Sequence, residues 1–532
     1  MSKYSYRRRP SRRVPIGNVI IGGDTPIALQ SMTNTSTNDI EGSVEQCMRI
    51  AEAGGDIVRL TAQGIREAAN IGEIRTELRK RGCNVPLVAD VHFNPRAAFA
   101  SAEAGVDKVR INPGNFVDPG RTFRKLEYTD EEYAGELRRI EDAFVPFLDT
   151  CRANNTTIRI GVNHGSLSDR IMSRYGDTPA GIVESAMEFL RVAVRHDFFN
   201  IVISIKASNV VIMVETVRRL VAAMEAEGMD FPLHLGVTEA GDGEDGRIKS
   251  AVGIGTLLAE GIGDTIRVSL SEPPENEIPV AKALADYIAG FAEATAPDEK
   301  FTVNECFAPQ RRVSKPVGSI GGANPTAVIS PLEIASVPDG AILVTGTGKN
   351  PAANILDEVA RMDATGNNAP VIPCIAYDDL PEDEIKLRAA ADFGRLLLSG
   401  LQDAIMIRSN AMSDADLYTL ALNILQAARL RFSHTEYIAC PGCGRTLFDL
   451  QSTLKAVREA TGHLKNLKIG VMGCIVNGPG EMADADYGYV GAAAGHVSLY
   501  RGKECVRKNI PQTEAIPALI AFLKEEGVWQ EP

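Results

Sequence analysis

AEAGGDIVR at residues 51–59 recurs as AEAGVDKVR at residues 102–110, and a looser copy, AEGIGDTIR, occupies residues 259–267. In each copy a helix-forming segment reaches a glycine that ends it, and a short apolar strand then finishes at an arginine. This pattern indicates the helix-to-strand half of a repeating strand–helix unit. Chance similarity between short segments is the alternative explanation.

Eight strand-like segments alternate with helical ones over the first 270 residues. Residues 39–53 and 178–195, for example, have the apolar periodicity of amphipathic helices. The alternation predicts an α/β fold with a (β/α)₈ TIM barrel. An open doubly wound sheet is the alternative, although no G-x-G-x-x-G follows the first strand. The predicted strands span residues 26–33, 56–61, 86–92, 107–112, 157–163, 200–206, 232–239 and 264–270.

The remainder of the chain divides into an insertion and a tail. The segment GLQDAIMIR at residues 400–408 echoes the glycine–aspartate–strand–arginine repeat, so we expect the insertion to be an α/β, barrel-like domain. The tail has cysteines, a glycine-rich loop and a terminal helix, which predict a small α+β domain. The predicted divisions are a substrate-binding barrel at 1–285, the insertion at 286–412, a last barrel helix or linker at 413–432, and the tail at 433–532.

Composition excludes several classes of protein. Hydrophobic residues make up 44% and charged residues 23% of 532 residues, which is the balance of a globular protein with two to four domains. No apolar run approaches the ~18 residues of a membrane helix, and a net charge of −13 disfavours nucleic-acid binding. Nine cysteines without a secretory signal indicate a reducing compartment, so we expect a cytoplasmic protein.

The carboxyl ends of the predicted strands carry five cations, and in a parallel barrel these ends meet at one rim. Such a group is costly unless an anion neutralises it, and arginine forks and a lysine suit phosphate oxygens. We therefore infer a phosphorylated small molecule, with a diphosphate suiting so many charges better than one phosphate. The alternative is pairing with neighbouring acids. The cations are Arg59, Arg110, Arg159, Lys206 and Arg267.

Other polar residues accompany these cations. Asp90 and Glu239 are the only acids at comparable strand ends, and they are acid/base candidates. His92 follows Asp90 by two residues, and a lone histidine of this kind is more often structural. The remaining polar residues at the strand ends include Asn112, Asn163 and Ser269.

Three cysteines of the tail form a candidate metal centre. Cys440 and Cys443 share the motif CPGC, and Cys474 lies in the segment MGCIVNGPGE at residues 472–481. Two thiols on one turn with a third in a glycine-rich loop can hold an iron–sulfur cubane, and Glu481 could supply a weaker, exchangeable ligand. A structural zinc completed by a histidine such as His434 and a set of free thiols are the alternatives.

Taken together, these motifs resemble the 4-hydroxy-3-methylbut-2-enyl diphosphate synthase family of the methylerythritol phosphate route to isoprenoids. The insertion resembles that of the long, three-domain branch. The segments that carry the resemblance are PIALQSMTN at 26–34, ADVHF at 89–93, VRINPGN at 109–115, GVNHGSL at 161–167, CPGCGR at 440–445 and GCIVNGPGE at 473–481.

The resemblance implies an iron–sulfur oxidoreductase that reductively opens and dehydroxylates 2-C-methyl-D-erythritol 2,4-cyclodiphosphate. It implies electrons from reduced ferredoxin or flavodoxin. Glu239 is then the first choice for protonating the leaving hydroxyl, with Asp90 and His92 as orienting groups. The five cations would hold the substrate, with Asn112, Asn163 and Ser269 as hydrogen-bond partners. A [4Fe–4S] cluster would be held by Cys440, Cys443, Cys474 and Glu481.

Barrel and cluster lie in different domains, so the cluster domain must close over the barrel mouth. The resemblance to the short branch of the family implies a homodimer, in which the cluster of one chain covers the barrel of the other chain. The insertion could instead act as a spacer that permits closure within one chain.

Two other functions remain open. One is a phosphate- or pterin-binding barrel enzyme with a structural zinc tail, and the other is a non-catalytic iron–sulfur protein.

Overall fold

A computed structural model describes residues 4–117, 127–294, 301, 307–332, 337–475, 478–482 and 484–531. The described chain contains an amino-terminal hairpin, an eight-stranded sheet, a four-stranded sheet and a five-stranded sheet. None of its helices is both long enough and apolar enough to cross a membrane.

The eight-stranded sheet is parallel and closes on itself, which confirms the predicted TIM barrel. Its strands follow the order β8-β7-β6-β5-β4-β3-β10-β9, and a parallel bridge from Ile203 to Leu233 closes the ring. The barrel strands are β3 (Ala28–Met32), β4 (Ile57–Ala62), β5 (Leu87–Val91), β6 (Lys108–Ile111), β7 (Thr157–Asn163), β8 (Ile201–Lys206), β9 (His234–Leu235) and β10 (Thr265–Ile266).

Helices follow the strands around the barrel. Capping residues start several of them: the Asp39 side chain accepts a hydrogen bond from the Gly42 N–H, and Thr129 and Glu132 form a capping box. The helices are α1 (Ile40–Glu52), α2 (Ile65–Lys80), α3 (Pro95–Glu103), α4 (Pro113–Phe116), α5 (Asp130–Ala153), α6 (Asp169–Tyr175), α7 (Pro179–Arg195), α8 (Val210–Ala226), α9 (Gly243–Ala259) and α10 (Glu277–Ala289).

The repeated motif has one structural purpose in all its copies. Its glycine ends a helix with a left-handed backbone, as Gly54 does at φ +98°. Its aspartate then accepts a backbone N–H at or next to the start of a neighbouring strand. Asp56 binds the Leu29 N–H at 2.8 Å, and Asp107 binds the Leu87 N–H at 2.9 Å. The copies at residues 259–267 and 400–408 repeat this contact through Asp264 to Leu233 and Asp403 to Val371.

The floor of the barrel is closed by the amino-terminal hairpin. Its strands β1 (Val14–Ile16) and β2 (Val19–Ile21) are antiparallel. The buried side chains of Val14, Ile16 and Ile21 pack against the apolar residues that line the bottom of the barrel. Because this end is sealed by apolar groups, the polar interior opens only toward the carboxyl ends of the strands.

The inserted domain is an open parallel sheet in the order β11-β14-β13-β12. It packs on the barrel through α12 and α9, where small residues let the helices approach closely. A Cβ atom added at Gly255 would lie only 2.8 Å from the Ala391 Cβ. Its elements are β11 (Ala327–Val328), β12 (Ile342–Gly346), α11 (Pro351–Ala364), β13 (Val371–Ala376), α12 (Glu382–Leu398), β14 (Ala404–Arg408) and α13 (Asp414–Ala427).

The eighth barrel helix precedes the insertion instead of following it. The sequence predicted a last barrel helix or linker at residues 413–432, but α10 follows β10 almost directly and packs on β3 and α9. Helix α13 instead follows β14 of the inserted sheet and also packs on α9. The apolar periodicity of both helices is similar, so the sequence did not reveal which of them completes the barrel.

The carboxy-terminal domain is a mixed sheet in the order β15-β16-β17-β18-β19, with β15 to β17 parallel and the last two strands antiparallel. Helices α14 and α16 pack together over an apolar core that includes Leu454 and Leu519. Its elements are β15 (Glu436–Ala439), α14 (Leu450–Thr461), β16 (Lys468–Met472), α15 (Gly478–Glu481), β17 (Tyr487–Ala493), β18 (His496–Arg501), β19 (Glu504–Pro511) and α16 (Gln512–Glu525).

Candidate active site

The barrel mouth and the carboxy-terminal domain of the same chain enclose one cavity. The barrel contributes residues at or just beyond the ends of β3, β4, β5, β8, β9 and β10. The carboxy-terminal domain contributes the CPGC loop and the segment after β16. The polar and sulfur-bearing residues that line the cavity are Met32, Arg59, Asp90, His92, Lys206, Thr238, Glu239, Arg267, Ser269, Cys440, Cys443, Arg445, Thr446, Met472, Cys474 and Glu481.

Direct contacts hold the carboxy-terminal domain over the mouth. A parallel bridge joins Ala240 to Ala439, and the Ser271 hydroxyl donates to the Cys440 carbonyl at 2.9 Å. The buried Lys249 of α9 pairs with Glu436 of β15 at 3.0 Å. Because these contacts flank the cysteine loop, they fix its position relative to the barrel strands.

Two of the predicted cations lie inside the barrel without an ion pair among the described residues, although Arg59 Nε donates to Met32 Sδ at 3.0 Å. All three guanidinium nitrogens of Arg159 are buried without a hydrogen-bond partner among the described residues, and so is Nη1 of Arg59. Burial lowers the pKa of Arg59 to about 10, and the nearby Arg267 and Arg110 charges act in the same direction. Burial and the neighbouring guanidinium groups also lower the pKa of Arg159 and that of Lys206 well below their usual values. A polyanion bound here would relieve this repulsion.

Arg267, in contrast, is neutralised by an acid that sequence reasoning did not find. It forms two hydrogen bonds to Glu277, at 2.9 and 2.8 Å, and both side chains are buried. Glu277 is the first residue of α10, ten positions beyond Arg267, and the predicted strand ends gave no signal for it. The sequence prediction that only Asp90 and Glu239 could balance the rim cations was therefore incomplete.

Arg110 organises a second polar network. Its guanidinium donates to Asp90 Oδ1 at 3.1 Å, to the Gly161 carbonyl at 2.9 Å and to Asn163 Oδ1 at 2.6 Å, and it also contacts the His92 ring. The Asn163 amide in turn donates to Glu481 Oε1 at 2.9 Å. This chain of contacts links a barrel cation to the loop that carries the third cysteine.

The pKa values of the Asp90 carboxyl and of the His92 ring are both lowered by the cations around them. Burial would raise the pKa of Asp90, but the Arg59 and Arg110 charges outweigh that effect and hold it well below its usual range. Burial and Arg110 hold the pKa of His92 well below its usual value. Asp90 Oδ2 also pairs with Arg445 at 3.2 Å. Arg445, which follows the CPGC motif, was not among the predicted site residues.

Glu239 lies at the mouth of the barrel in a left-handed backbone conformation, at φ +51°. Residues other than glycine are uncommon in this region, and those that occur there are enriched at functional sites. Its side chain is buried and lines the cavity, and Oε2 has no partner among the described residues. Burial raises the pKa of the Glu239 carboxyl well above its usual range, and the nearby Glu481 raises it further.

The three neutral residues that were predicted to form hydrogen bonds with the substrate lie in different places. Ser269 lines the cavity, and Asn163 bridges Arg110 to Glu481. Asn112 caps α4, because its Oδ1 accepts the Gly114 N–H at 3.1 Å, and its amide nitrogen has no partner among the described residues. Asn112 is outside the set of residues that line the cavity.

The thiols of Cys440, Cys443 and Cys474 line one wall of the cavity together with Glu481. The Gly473 N–H donates to Cys440 Sγ at 3.3 Å, the kind of contact that supports a cluster thiolate. The chemistry of this donor set, three soft sulfurs and one carboxylate around a shared space, fits an iron–sulfur cluster.

The zinc alternative requires a histidine such as His434 beside the three cysteines. Within the described part of the chain, no three His, Cys, Asp or Glu side chains converge closely enough to hold one metal ion. His434, the histidine proposed for a zinc site, lies 3.6 Å from Asp245 and lines a different cavity with Lys249 and Glu436.

Comparisons with known proteins agree with this geometry. The family described as the GcpE TIM-barrel domain matches residues 11–282, and the GcpE protein C-terminal domain matches residues 436–525. A Bacteroides fragilis protein named 4-hydroxy-3-methylbut-2-en-1-yl diphosphate synthase (flavodoxin) is 49% identical over 100% of this chain and 98% of its own length. A Phocaeicola vulgatus protein of the same name is 50% identical over the whole of both chains.

A more distant relative from Akkermansia muciniphila, with the same printed name, is 42% identical over 100% of this chain and 99% of its own length. The matches thus cover the barrel, the insertion and the cysteine domain together. They confirm the resemblance that the sequence motifs indicated. The chain therefore belongs to the GcpE family, which includes these diphosphate synthases.

Proposed function

We propose that the cavity between barrel and cysteine loop is where the chain converts 2-C-methyl-D-erythritol 2,4-cyclodiphosphate into (E)-4-hydroxy-3-methylbut-2-enyl diphosphate. As a member of its family, the chain is an iron–sulfur oxidoreductase of isoprenoid biosynthesis. One observation supports the cavity as the site more than any other: the barrel cations Arg59, Lys206 and Arg267 line it together with three thiols of the same chain.

The barrel cations would hold the cyclic diphosphate. Among the described residues Arg59, Arg159 and Lys206 form no ion pair, and Arg59 and Lys206 line the cavity. Arg110 and Arg267 are already oriented by Asp90 and Glu277. Ring opening releases one phosphate oxygen from its ester and so adds negative charge to the diphosphate. Preorganised cations stabilise that developing charge more than they stabilise the cyclic substrate, which is the condition for catalysis.

Cys440, Cys443, Cys474 and Glu481 would hold a [4Fe–4S] cluster at the opposite wall. When bound, such a cluster supplies two electrons, one at a time, and a Lewis-acidic iron. The hydrogen bond from Asn163 already holds Glu481 toward the barrel mouth, as expected of an exchangeable ligand. Reduced flavodoxin, which is printed in the names of the relatives, is the proposed electron donor, and ferredoxin is the alternative. The cytoplasm is the proposed compartment.

Glu239 would deliver the proton that turns the C3 hydroxyl into water. It lines the cavity, one of its oxygens is unpartnered, and its neutral form is favoured by burial. Asp90 and His92 would orient the cations around the substrate, because both contact Arg110. The overall balance is two electrons and one proton consumed, one ring C–O bond broken, one water released and one negative charge added to the diphosphate.

Glu239→Gln tests the proton donor. We expect kcat to fall by about 10²–10⁴-fold with little change in KM, because the amide keeps the shape of the carboxyl but has no acidic proton. Steady-state turnover of the cyclodiphosphate would be measured beside iron and sulfide content. Full turnover with an unchanged cluster would remove Glu239 from this role.

The whole assignment is tested by purifying the protein without oxygen. We expect iron and acid-labile sulfide in the protein, and turnover of the cyclodiphosphate that depends on an added reductant. Zinc without sulfide would support the barrel enzyme with a zinc tail. A cluster without turnover would support a non-catalytic iron–sulfur protein.

We further propose that the active site is completed within one chain. The cysteine loop covers the barrel of its own chain. Helices α12 and α13 of the inserted domain both pack on α9 of the barrel. A homodimer would then be compatible with function but not needed to complete the site.

Mixing two inactive variants tests closure within one chain. Cys474→Ala removes a cluster ligand and Lys206→Ala removes a barrel cation, so closure in cis leaves a mixture as inactive as its components. Closure between subunits of a mixed dimer would instead restore about a quarter of the parent activity. Size-exclusion chromatography before the assay would establish whether the chains had exchanged.

A further inference from the structure

Three large apolar side chains are exposed beside the cavity. Ile65, Phe93 and Ile475 have exposed fractions of 48%, 45% and 52%. Phe93 directly follows His92, and Ile475 directly follows Cys474, and both of those neighbours line the cavity. Water does not favour such exposure, and apolar groups that cluster at the edge of a site commonly mark a binding surface.

Contacts between loops bring Ile65 and Phe93 to one side of the barrel mouth. β4 and β5 are hydrogen-bonded neighbours, with Ala62 opposite Val91. The Asn94 amide donates to the Gln63 carbonyl at 3.3 Å, which ties the loop before Ile65 to the loop that carries Phe93.

The backbone at Phe93 is held in an unfavourable conformation. Its φ is +59°, a left-handed value that is uncommon for any residue with a bulky side chain. The strain keeps the ring outward, with almost half of its surface in water, although the neighbouring His92 is buried. Strained residues of this kind concentrate at functional sites, where the surrounding structure maintains them.

Two exposed arginines lie beside the apolar side chains. Arg66 is in the first turn of α2 and Arg96 is in the first turn of α3. The dipole of a helix disfavours cations at this end, so local stability does not explain their position. The chain as a whole carries a net charge of −13, so an acidic partner would be repelled except at a local basic surface of this kind.

We propose that Ile65, Arg66, Phe93, Arg96 and Ile475, here called the rim patch, form the docking surface for the reduced electron donor, an acidic flavoprotein of the flavodoxin class. This inference rests on the proposed function and on the donor printed in the names of the relatives. The arginines attract the acidic surface of the donor, and the apolar side chains exclude water around its flavin edge. Each encounter oxidises the donor's flavin by one electron and reduces the enzyme by one, so two encounters supply one turnover.

The double variant Arg66→Glu/Arg96→Glu tests the rim patch by direct binding. The cluster-loaded protein would be titrated with a purified bacterial flavodoxin, with FMN bound, by calorimetry at low and at high salt. We expect the variant to raise the Kd by about 10-fold or more at low salt, and the salt dependence of binding to shrink, because the charge attraction is reversed. Phe93→Asn, which tolerates the left-handed backbone, should weaken binding at both salt concentrations.

A remote pair of surface cations provides the control. Lys282→Glu/Arg361→Glu makes the same change in net charge on α10 and α11, where both residues belong to exposed ion pairs within their own helices. We expect this variant to bind flavodoxin within about 2-fold of the parent. Equal weakening in both double variants, or parent-like binding by the rim variant, would overturn the proposal.

Turnover with two reductants separates this proposal from the proposed function. With reduced flavodoxin, the rim variant should lose kcat/KM for the donor, whereas with reduced methyl viologen it should turn over the cyclodiphosphate at the parent rate. Loss with both reductants would assign the arginines to the catalytic site and overturn the docking role. Parent protein that binds flavodoxin at the patch but turns over the cyclodiphosphate with neither reductant would refute the proposed function and leave the docking surface intact.

Discussion

Cys440→Ala is expected to lower turnover of the cyclodiphosphate by more than about 10³-fold, because without its cofactor the protein has no route for electrons to the substrate. Cys440 lines the cavity and accepts the Gly473 N–H, so it has the environment of a cluster thiolate. Iron and acid-labile sulfide should fall in parallel, and the visible absorption of the cluster should disappear. Metal analysis and anaerobic steady-state kinetics measure the two effects independently.

Cys505→Ala is the matched control in the same domain. Its thiol contacts the Arg507 carbonyl within the β19 strand, away from the cavity, so its loss should leave iron, sulfide and turnover unchanged. If Cys440→Ala retained the iron and sulfide content of the parent, Cys440 would not be a ligand. A parallel loss in Cys505→Ala would show that the domain had merely become unstable.

Arg159→Met is expected to lower kcat/KM by about 10²–10³-fold while leaving the free protein as stable as the parent or more stable. Arg159 is a fully buried cation with no hydrogen-bond partner among the described residues, so folding buries its charge without compensation. Methionine has a similar shape and no charge, and such replacements stabilise proteins by up to about 4 kcal/mol. Thermal unfolding with and without the cyclodiphosphate would show stabilisation by the ligand in the parent and little in the variant.

Arg267→Met should have the opposite effect on stability. Its removal leaves the Glu277 carboxylate buried without its main partner, at a cost of about 3–5 kcal/mol. Comparison of the two variants separates substrate binding from structural pairing at the same rim. A lower melting temperature for Arg159→Met, similar to that of Arg267→Met, would mean that Arg159 has a structural partner and is not held ready for the substrate.

The sequence located the residues of the rim but not their pairings. The repeat predicted that Arg59, Arg110 and Arg267 lie at strand ends. In each copy a glycine ends the helix, the aspartate binds a backbone N–H of a neighbouring strand, and the arginine follows that aspartate by three residues. Which of them is free depends on acids from other segments. Glu277 comes from the start of α10, and its contact with Arg267 could not be inferred from any local pattern.

The sequence also does not reveal which residues of different domains contact each other. Arg445 reaches Asp90 across the cavity, and the two are separated by more than 350 positions in the chain. The sequence motif CPGCGR includes Arg445 but gives no indication of its partner. The position of Asn112 as a helix cap was likewise hidden, because capping and substrate binding require the same amide group.

By itself, the sequence determined the repeating unit, the barrel, the cations at the strand ends and the cysteine set, because each of these depends on periodicity or on short spacings. Only the tertiary structure decided that the cysteine loop covers the barrel of its own chain, that α10 completes the barrel, and that Arg159 is unpaired while Arg267 is not. These features depend on contacts between residues far apart in the chain. Packing and charge balance decide such contacts in three dimensions, and no local pattern of residues records them.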